Sequence, residues 1–124
     1  MKLRRVVKED LTAINRWYRQ RNLPLVTADV LPDVGFIAPG VAAVFLYQTD
    51  SSIAMIEGLI SNPEATLRDR KLAIDASILQ CVYYARALGY TQVIGLTRDA
   101  GTYKRVKRHG FFDLGTYQMV AKRT

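Results

Sequence analysis

Glu57 is the one acidic residue inside an apolar, strand-like stretch, Ile53 to Ser61 (IAMIEGLIS). A carboxylate among apolar neighbours is placed to accept a proton from a reacting group. The alternative is a rim glutamate that faces solvent or pairs with an arginine. Arg68, Arg70 and Lys71 open the longest predicted helix. Cations at a helix N-terminus oppose its dipole unless an anion sits there, so this cluster reads either as an exposed first turn or as a phosphate site. Lys104, Arg105, Lys107, Arg108 and His109 crowd one short helix. At about 100° per residue they cover most of its circumference, and all four Lys/Arg side chains are expected to be exposed. They fit contact with nucleic acid, another polyanion or an acidic protein. They equally fit a solvated face whose cations suit a helix C-terminus.

Other chemistries are poorly supplied. Cys81 is the only cysteine, so no intrachain disulfide can form and a reducing compartment is expected. It falls on a predicted buried helix stripe and reads as core. His109 is the only histidine, which leaves little for a Cys/His metal site or a Ser-His-Asp triad, and no metal is expected. The longest apolar run, Val41 to Tyr47, is far short of a membrane span, and the charged start (Lys2, Arg4, Arg5, Lys8) does not lead into a secretion signal. A cytoplasmic protein, or one packaged in a virion, is expected. The net charge of +7 is uneven: residues 1–21 carry seven Lys/Arg against two acids, residues 98–124 seven against two, and residues 22–97 four against seven. Such basic ends attract phosphate.

The elements that must hold these residues follow from periodicity. With 124 residues, 49% of them apolar, one domain spanning 1–124 is expected. Lys2 to Val7 reads as a strand. Asp10 is a plausible cap for a helix in which Leu11, Ile14, Trp17 and Tyr18 recur at helical spacing, and Asn22 and Pro24 stop it. Residues 23–34 read as loop with one short helical turn. Val34 to Ala38, Val41 to Gln48 and Ile53 to Ser61 read as strands. The second of these is apolar on both faces and therefore central, and Gly58 in the third suggests a bulge. Residues 67–88 form the long helix, with Ile74, Ile78, Cys81, Ala85 and Leu88 as its buried stripe, widened by Leu72, Leu79 and Val82, and Gly89 as its stop. Gln92 to Thr97 is a fifth strand, Asp99 caps a last helix of about 100–109, and Tyr117 to Lys122 is a sixth strand. The sum is a mixed α/β sheet of about six strands flanked by three main helices.

This order, with its local text, resembles the general-control-related N-acetyltransferase (GNAT) superfamily. The opening MKLRRVVKEDLTAINRWYRQ is similar to that family's first strand and helix, and ARALGYTQVIGLT to the end of its long helix and its fifth strand. In DAGTYKRVKRHGFFDLGTYQMVAK, Asp99 stands where the family usually writes Asn, Gly110-Phe111 matches its Gly-Phe, and Tyr117-Gln118-Met119 matches its Tyr-x-Met strand. Small GNAT-like proteins of this length are common in bacterial viruses.

The resemblance implies acetyl transfer from acetyl-CoA to an amine acceptor. It implies a fourth strand that parts from the fifth, so that Leu59, Ile60 and Ser61 bind the pantetheine arm of CoA, with the phosphates near Arg68 to Ala73 (Arg68, Arg70, Lys71, Leu72 and Ala73) and Asp99 among the cofactor-binding positions. Glu57 would be the general base. The sequence departs from the family in two places. The phosphate loop, usually Arg/Gln-x-x-Gly-x-Gly/Ala, reads Arg68-Asp69-Arg70-Lys71-Leu72-Ala73 and begins five residues after Pro63, with Lys71 in place of the first Gly. The Tyr that often serves as general acid is Val106, with Tyr103 one turn earlier. Two functions stay open: an acetyl-CoA-dependent N-acetyltransferase, or a catalytically inactive GNAT-fold protein that binds nucleic acid or a protein partner, as a virus's structural or host-modulating protein would.

Overall fold

Alternating apolar side chains in Val34–Ala38 and Ala42–Tyr47 give two strands with two greasy faces each, and a strand of that kind is stable only with cover on both sides. The computed structural model, which describes residues 2–124, provides that cover. Its elements are β1 (Arg4–Arg5), α1 (Leu11–Gln20), β2 (Val34–Ala38), β3 (Ala42–Tyr47), β4 (Ile53–Ser61), α2 (Leu67–Ala87), β5 (Gln92–Gly95) and α3 (Ala100–Arg108), with single 3-10 turns at Lys8–Asp10 and Ala28–Val30. The sheet runs in the order β1-β2-β3-β4-β5. Neighbours are antiparallel as far as β4, and β4 and β5 are parallel. A parallel pair needs a long crossover, which α2 supplies with 21 residues.

The strand period of two divides the core. Val34, Phe36, Val44, Leu46, Ala54 and Ile56 point to one face and pack on Ile78, Cys81 and Ala85 of α2. Ile37, Ala43, Phe45 and Ile60 point to the other and pack on Ile14 and Trp17 of α1. Burial pushes the Cys81 thiol up to about 12, so it stays protonated. Thr66 caps α2 by accepting from the Asp69 N–H at 3.1 Å, and Gly89 ends the helix at φ +97°.

Several expectations are corrected. β1 has two residues instead of six because the chain turns into the 3-10 segment after Val7. Asp10 does not cap α1. Its carboxylate turns back to Arg4 (2.7 and 2.8 Å) and to the Val7 N–H (2.8 Å), and the Arg4 guanidinium, with the Val7 amide, holds it below the usual carboxylate range against the effect of burial. Leu72 is exposed because two residues before Ile74 is about 200° around the helix. Leu88 is exposed because it lies past the last helical turn. β5 stops at Gly95, short of Thr97. The sixth strand, Tyr117 to Lys122, does not form, so the sheet has five strands; residues 112–124 are exposed and β5 has no second neighbour.

Gly35 shows how tightly the α1 face is packed. A Cβ there would stand 2.5 Å from Phe45 Cδ1 and 3.1 Å from Val6 Cγ2, and the Phe45 ring is itself fully buried. Gly35→Ala is expected to cost about 1–3 kcal/mol by overpacking. Urea unfolding checks this; a loss below a few tenths of a kcal/mol would show that the ring can move.

Candidate functional site

The pairing of β4 with β5 covers only Ile53–Ile56 against Gln92–Gly95. The remaining residues of β4, Glu57 to Ser61, run on beyond the last β5 pair. Their other edge still pairs with β3, through Phe45↔Glu57, Ala43↔Ile60 and Ala42↔Ser61. Three steps along β4 there match two along β3, so β4 carries one extra residue. Gly58, at φ +74°, takes the left-handed conformation that this bulge needs. The sheet therefore opens after Ile56, and a stretch of β4 backbone faces the gap with no strand partner.

Glu57 stands at the mouth of this opening. It is half-buried, its Oε1 accepts from the Gly58 N–H at 3.2 Å, and its Oε2 is buried with no partner. It is thus neither a solvent-facing rim residue nor an arginine-paired one. The Tyr18 hydroxyl of α1 donates to the Gly58 carbonyl at 3.2 Å. Burial first, then the charges of Tyr47 and Glu57, push that phenol up to about 12. Burial and the Glu57 charge raise Tyr47 as well. Two phenols and a carboxylate thus share one corner, which suits a cation or a group about to lose a proton.

The expected cofactor-binding residues divide between positions. Leu59 packs on the α2 side of the sheet, Ile60 is buried on the α1 side, and Ser61 ends the strand. Arg21, at the end of α1, donates from Nε to the Ser61 carbonyl (2.9 Å) and from Nη2 to its hydroxyl (2.8 Å). Arg68 and Lys71 are exposed and, with Leu67 and Leu72, line a shallow cleft of about 400 Å³ at the start of α2. The Arg70 Nε is buried without a partner. Ala73 is buried against Ala38 and Ala42 and seats that first turn on the sheet. Asp99 caps α3, accepting from the Thr102 N–H and hydroxyl at 2.7 Å each. Those bonds hold its carboxyl below the usual range despite some burial, with Arg105 and Arg21 adding their charges. Tyr103 donates its hydroxyl proton to Asp113 at 2.9 Å, and Lys107 Nζ lies 5.2 Å from its ring centre.

The basic helix is only partly a free face. Arg105 is largely covered and reaches both carboxylate oxygens of Asp75 on α2 at 3.1 Å, and His109 Nε2 lies 3.2 Å from the same carboxylate. Burial pushes the Asp75 carboxyl up, but the bonds and charges from Arg105 and His109 outweigh it and bring it below the usual range. The expectation that all four cations are exposed thus fails at Arg105, whose i+4 neighbour His109 shares its anchor. Lys104, Lys107 and Arg108 remain exposed. Among the described residues no cluster of three His, Cys, Asp or Glu could hold a metal, and no helix is long and apolar enough to cross a membrane.

Sequence reasoning missed Tyr18, Tyr47, Arg21 and Asp75, because each reaches its partner across tens of residues and no spacing rule links them. Tyr18 offers a check. An unfolded tyrosine ionises near 10 and the folded one near 12, so its contribution is full below about pH 10 and falls away as the pH rises through 12. In urea unfolding, wild type is expected to lose more stability between about pH 9 and 11.5 than Tyr18→Phe, which is about 0.5–1.5 kcal/mol weaker at neutral pH for want of the Gly58 bond. Parallel pH profiles would contradict the buried phenol.

No protein-family model matches the chain, and no curated protein matches it in sequence. Solved structures do match in shape. Rv2747 from Mycobacterium tuberculosis, in complex with CoA and NLQ, superposes with a TM-score of 0.75 at 21% identity, over 98% of this chain and 77% of that one. An acetyltransferase of Trypanosoma brucei gives 0.69 at 14% identity, over 98% and 99%. AAC(6')-Iy, in complex with the bisubstrate analogue CoA-S-monomethyl-acetylneamine, gives 0.64 at 17%, over 99% and 98%. With the mixed sheet, its crossover helix and the gap beside β4, these likenesses establish that the chain has the fold of the GNAT acetyltransferases.

Proposed function

We propose that the chain is an acetyl-CoA-dependent N-acetyltransferase acting on an amine acceptor. The observation that carries this reading is the gap beside β4, where the backbone of Glu57 to Ser61 lies beyond the last β5 pair with a buried, half-partnered carboxylate at its mouth. An extended amide-bearing chain such as pantetheine fits an open strand edge, because each can satisfy the other's backbone groups. The fit extends to the phosphates. Arg68, Arg70 and Lys71 gather at the start of α2, where free N–H groups and the dipole also favour an anion, and the Arg70 Nε lacks a partner. Lys71, in place of the family's glycine, is exposed, which supports a role in reaching a phosphate instead of blocking one.

Acetyl-CoA supplies the thioester on which the amine acts. Glu57 accepts the proton that the amine loses as it attacks the carbonyl, and its unpartnered Oε2 is the atom available for it. The N–H groups of Leu59 and Ile60 hold the carbonyl oxygen as it gains charge. Arg21 fixes the Ser61 end of that strand. Tyr103 is the candidate to protonate the departing thiolate; its hydroxyl would have to leave Asp113 to do so.

Two outcomes test this. CoA at 100 times its Kd is expected to stabilise the fold by about 2.7 kcal/mol, and replacing Arg68, Arg70 and Lys71 by Gln to remove most of that gain. No stabilisation of wild type at millimolar CoA would end the reading. With an acceptor found from a panel of amines, Glu57→Gln is expected to lower kcat by roughly 10²–10⁴ while CoA still stabilises the protein. An unchanged kcat would remove Glu57 as the base.

A further inference from the structure

Two parts of the surface lack partners and match each other. The outer edge of β5 carries no neighbouring strand. The stretch Gln92 to Thr97 holds no charge and no proline, the usual devices that keep a free edge from pairing, and Leu96 beyond it is exposed. The C-terminal segment Thr116 to Ala121 (TYQMVA) is equally free of charge and proline and has strand-forming composition. It lies open, with Tyr117 at 71%, Met119 at 69% and Val120 at 89% exposure, and Phe112 and Leu114 exposed before it.

The segment is held away from its own sheet by a built tether. Phe111 is packed on the core beside Val106. Asp113 then accepts from Tyr103 (2.9 Å) and from the Gly115 N–H (2.7 Å), Gly115 turns the chain at φ +105°, and the Tyr117 hydroxyl donates to the Leu114 carbonyl at 2.8 Å. This turn is tied to α3. Among the described residues none beyond Tyr117 makes a hydrogen bond.

We propose that residues 116–122 of one copy pair with β5 of a second copy, and reciprocally, to form a two-fold dimer. Each copy offers one unguarded edge and one unguarded strand, so a reciprocal exchange satisfies both and closes the assembly. Five large apolar side chains per copy, ten per pair, would leave water, on the order of 1,000 Å², which is the scale of a specific interface. The backbone supplies the ladder, and Lys122 and Arg123 lie past the end of the apolar run.

Sedimentation at micromolar concentration tests this on the full chain. Wild type is expected at twice 14.0 kDa. Met119→Pro, which removes a ladder N–H, and Val120→Lys, which charges the most exposed apolar position, are each expected to give monomers with unchanged far-UV circular dichroism, since neither side chain contacts the core. Hydrogen exchange should show Gln92–Gly95 and 117–122 protected in wild type and open in both variants. A monomeric wild type would overturn the proposal, and protection of 117–122 in that monomer would mean the segment folds onto its own sheet. A dimer that survives both substitutions would overturn it too.

Discussion

A parallel pair of strands joined through a 21-residue helix is held here at four positions, Ile53–Ile56 against Gln92–Gly95, and the functional side of the sheet follows from where that pairing stops. Every backbone amide taken from water needs a partner. Up to Ile56 the partner is β5. Beyond it the chain bulges at Gly58, stays on β3 with its other edge, and leaves one edge open. Gly95 marks the same boundary from β5: a Cβ there would lie 3.3 Å from the Ile56 carbonyl, so the two strands approach most closely just before they part.

The helices keep the gap from closing or collapsing. α1 covers one face of the sheet, brings Tyr18 to the Gly58 carbonyl, and ends with Arg21 on Ser61. α2 covers the other face and starts with its cations beside the end of the open strand. α3 is fixed to α2 by Arg105 and His109 on Asp75. Each tie uses a charged or phenolic group on a carbonyl, hydroxyl or carboxylate, interactions that depend on direction as apolar packing does not. The core sets which elements meet, and these bonds set the orientation of the elements around the site.

Much of this was legible from sequence because it is local. β4 spans Ile53–Ser61 as its composition implies, Gly58 bulges, Gly89 ends α2 and Asp99 caps α3. Resemblance carried the fold, since GNAT shape matches at 21% identity or less leave few shared residues to read. What was not legible is long-range. Tyr18 meets Gly58 40 positions away, and Arg105 meets Asp75 30 positions away, so a basic helix that looks wholly solvated hides an anchor. The last strand misled for the opposite reason. Tyr117 to Lys122 has the composition of a strand, but a strand needs a partner, and composition cannot supply one. Asp10 looked like a cap, yet a nearby arginine competes for the same carboxylate.

The central claim is that the opening beside β4 receives a pantetheine chain while the start of α2 receives its phosphates. Amide chemical shifts in a ¹⁵N-labelled sample, followed as CoA is added, test it residue by residue. The account predicts saturable shifts at Glu57 to Ser61 and at Arg68 to Ala73, with β1 and β2 unmoved. Shifts confined to the basic residues of α3, or saturable binding that leaves Glu57 to Ser61 unmoved, would contradict it.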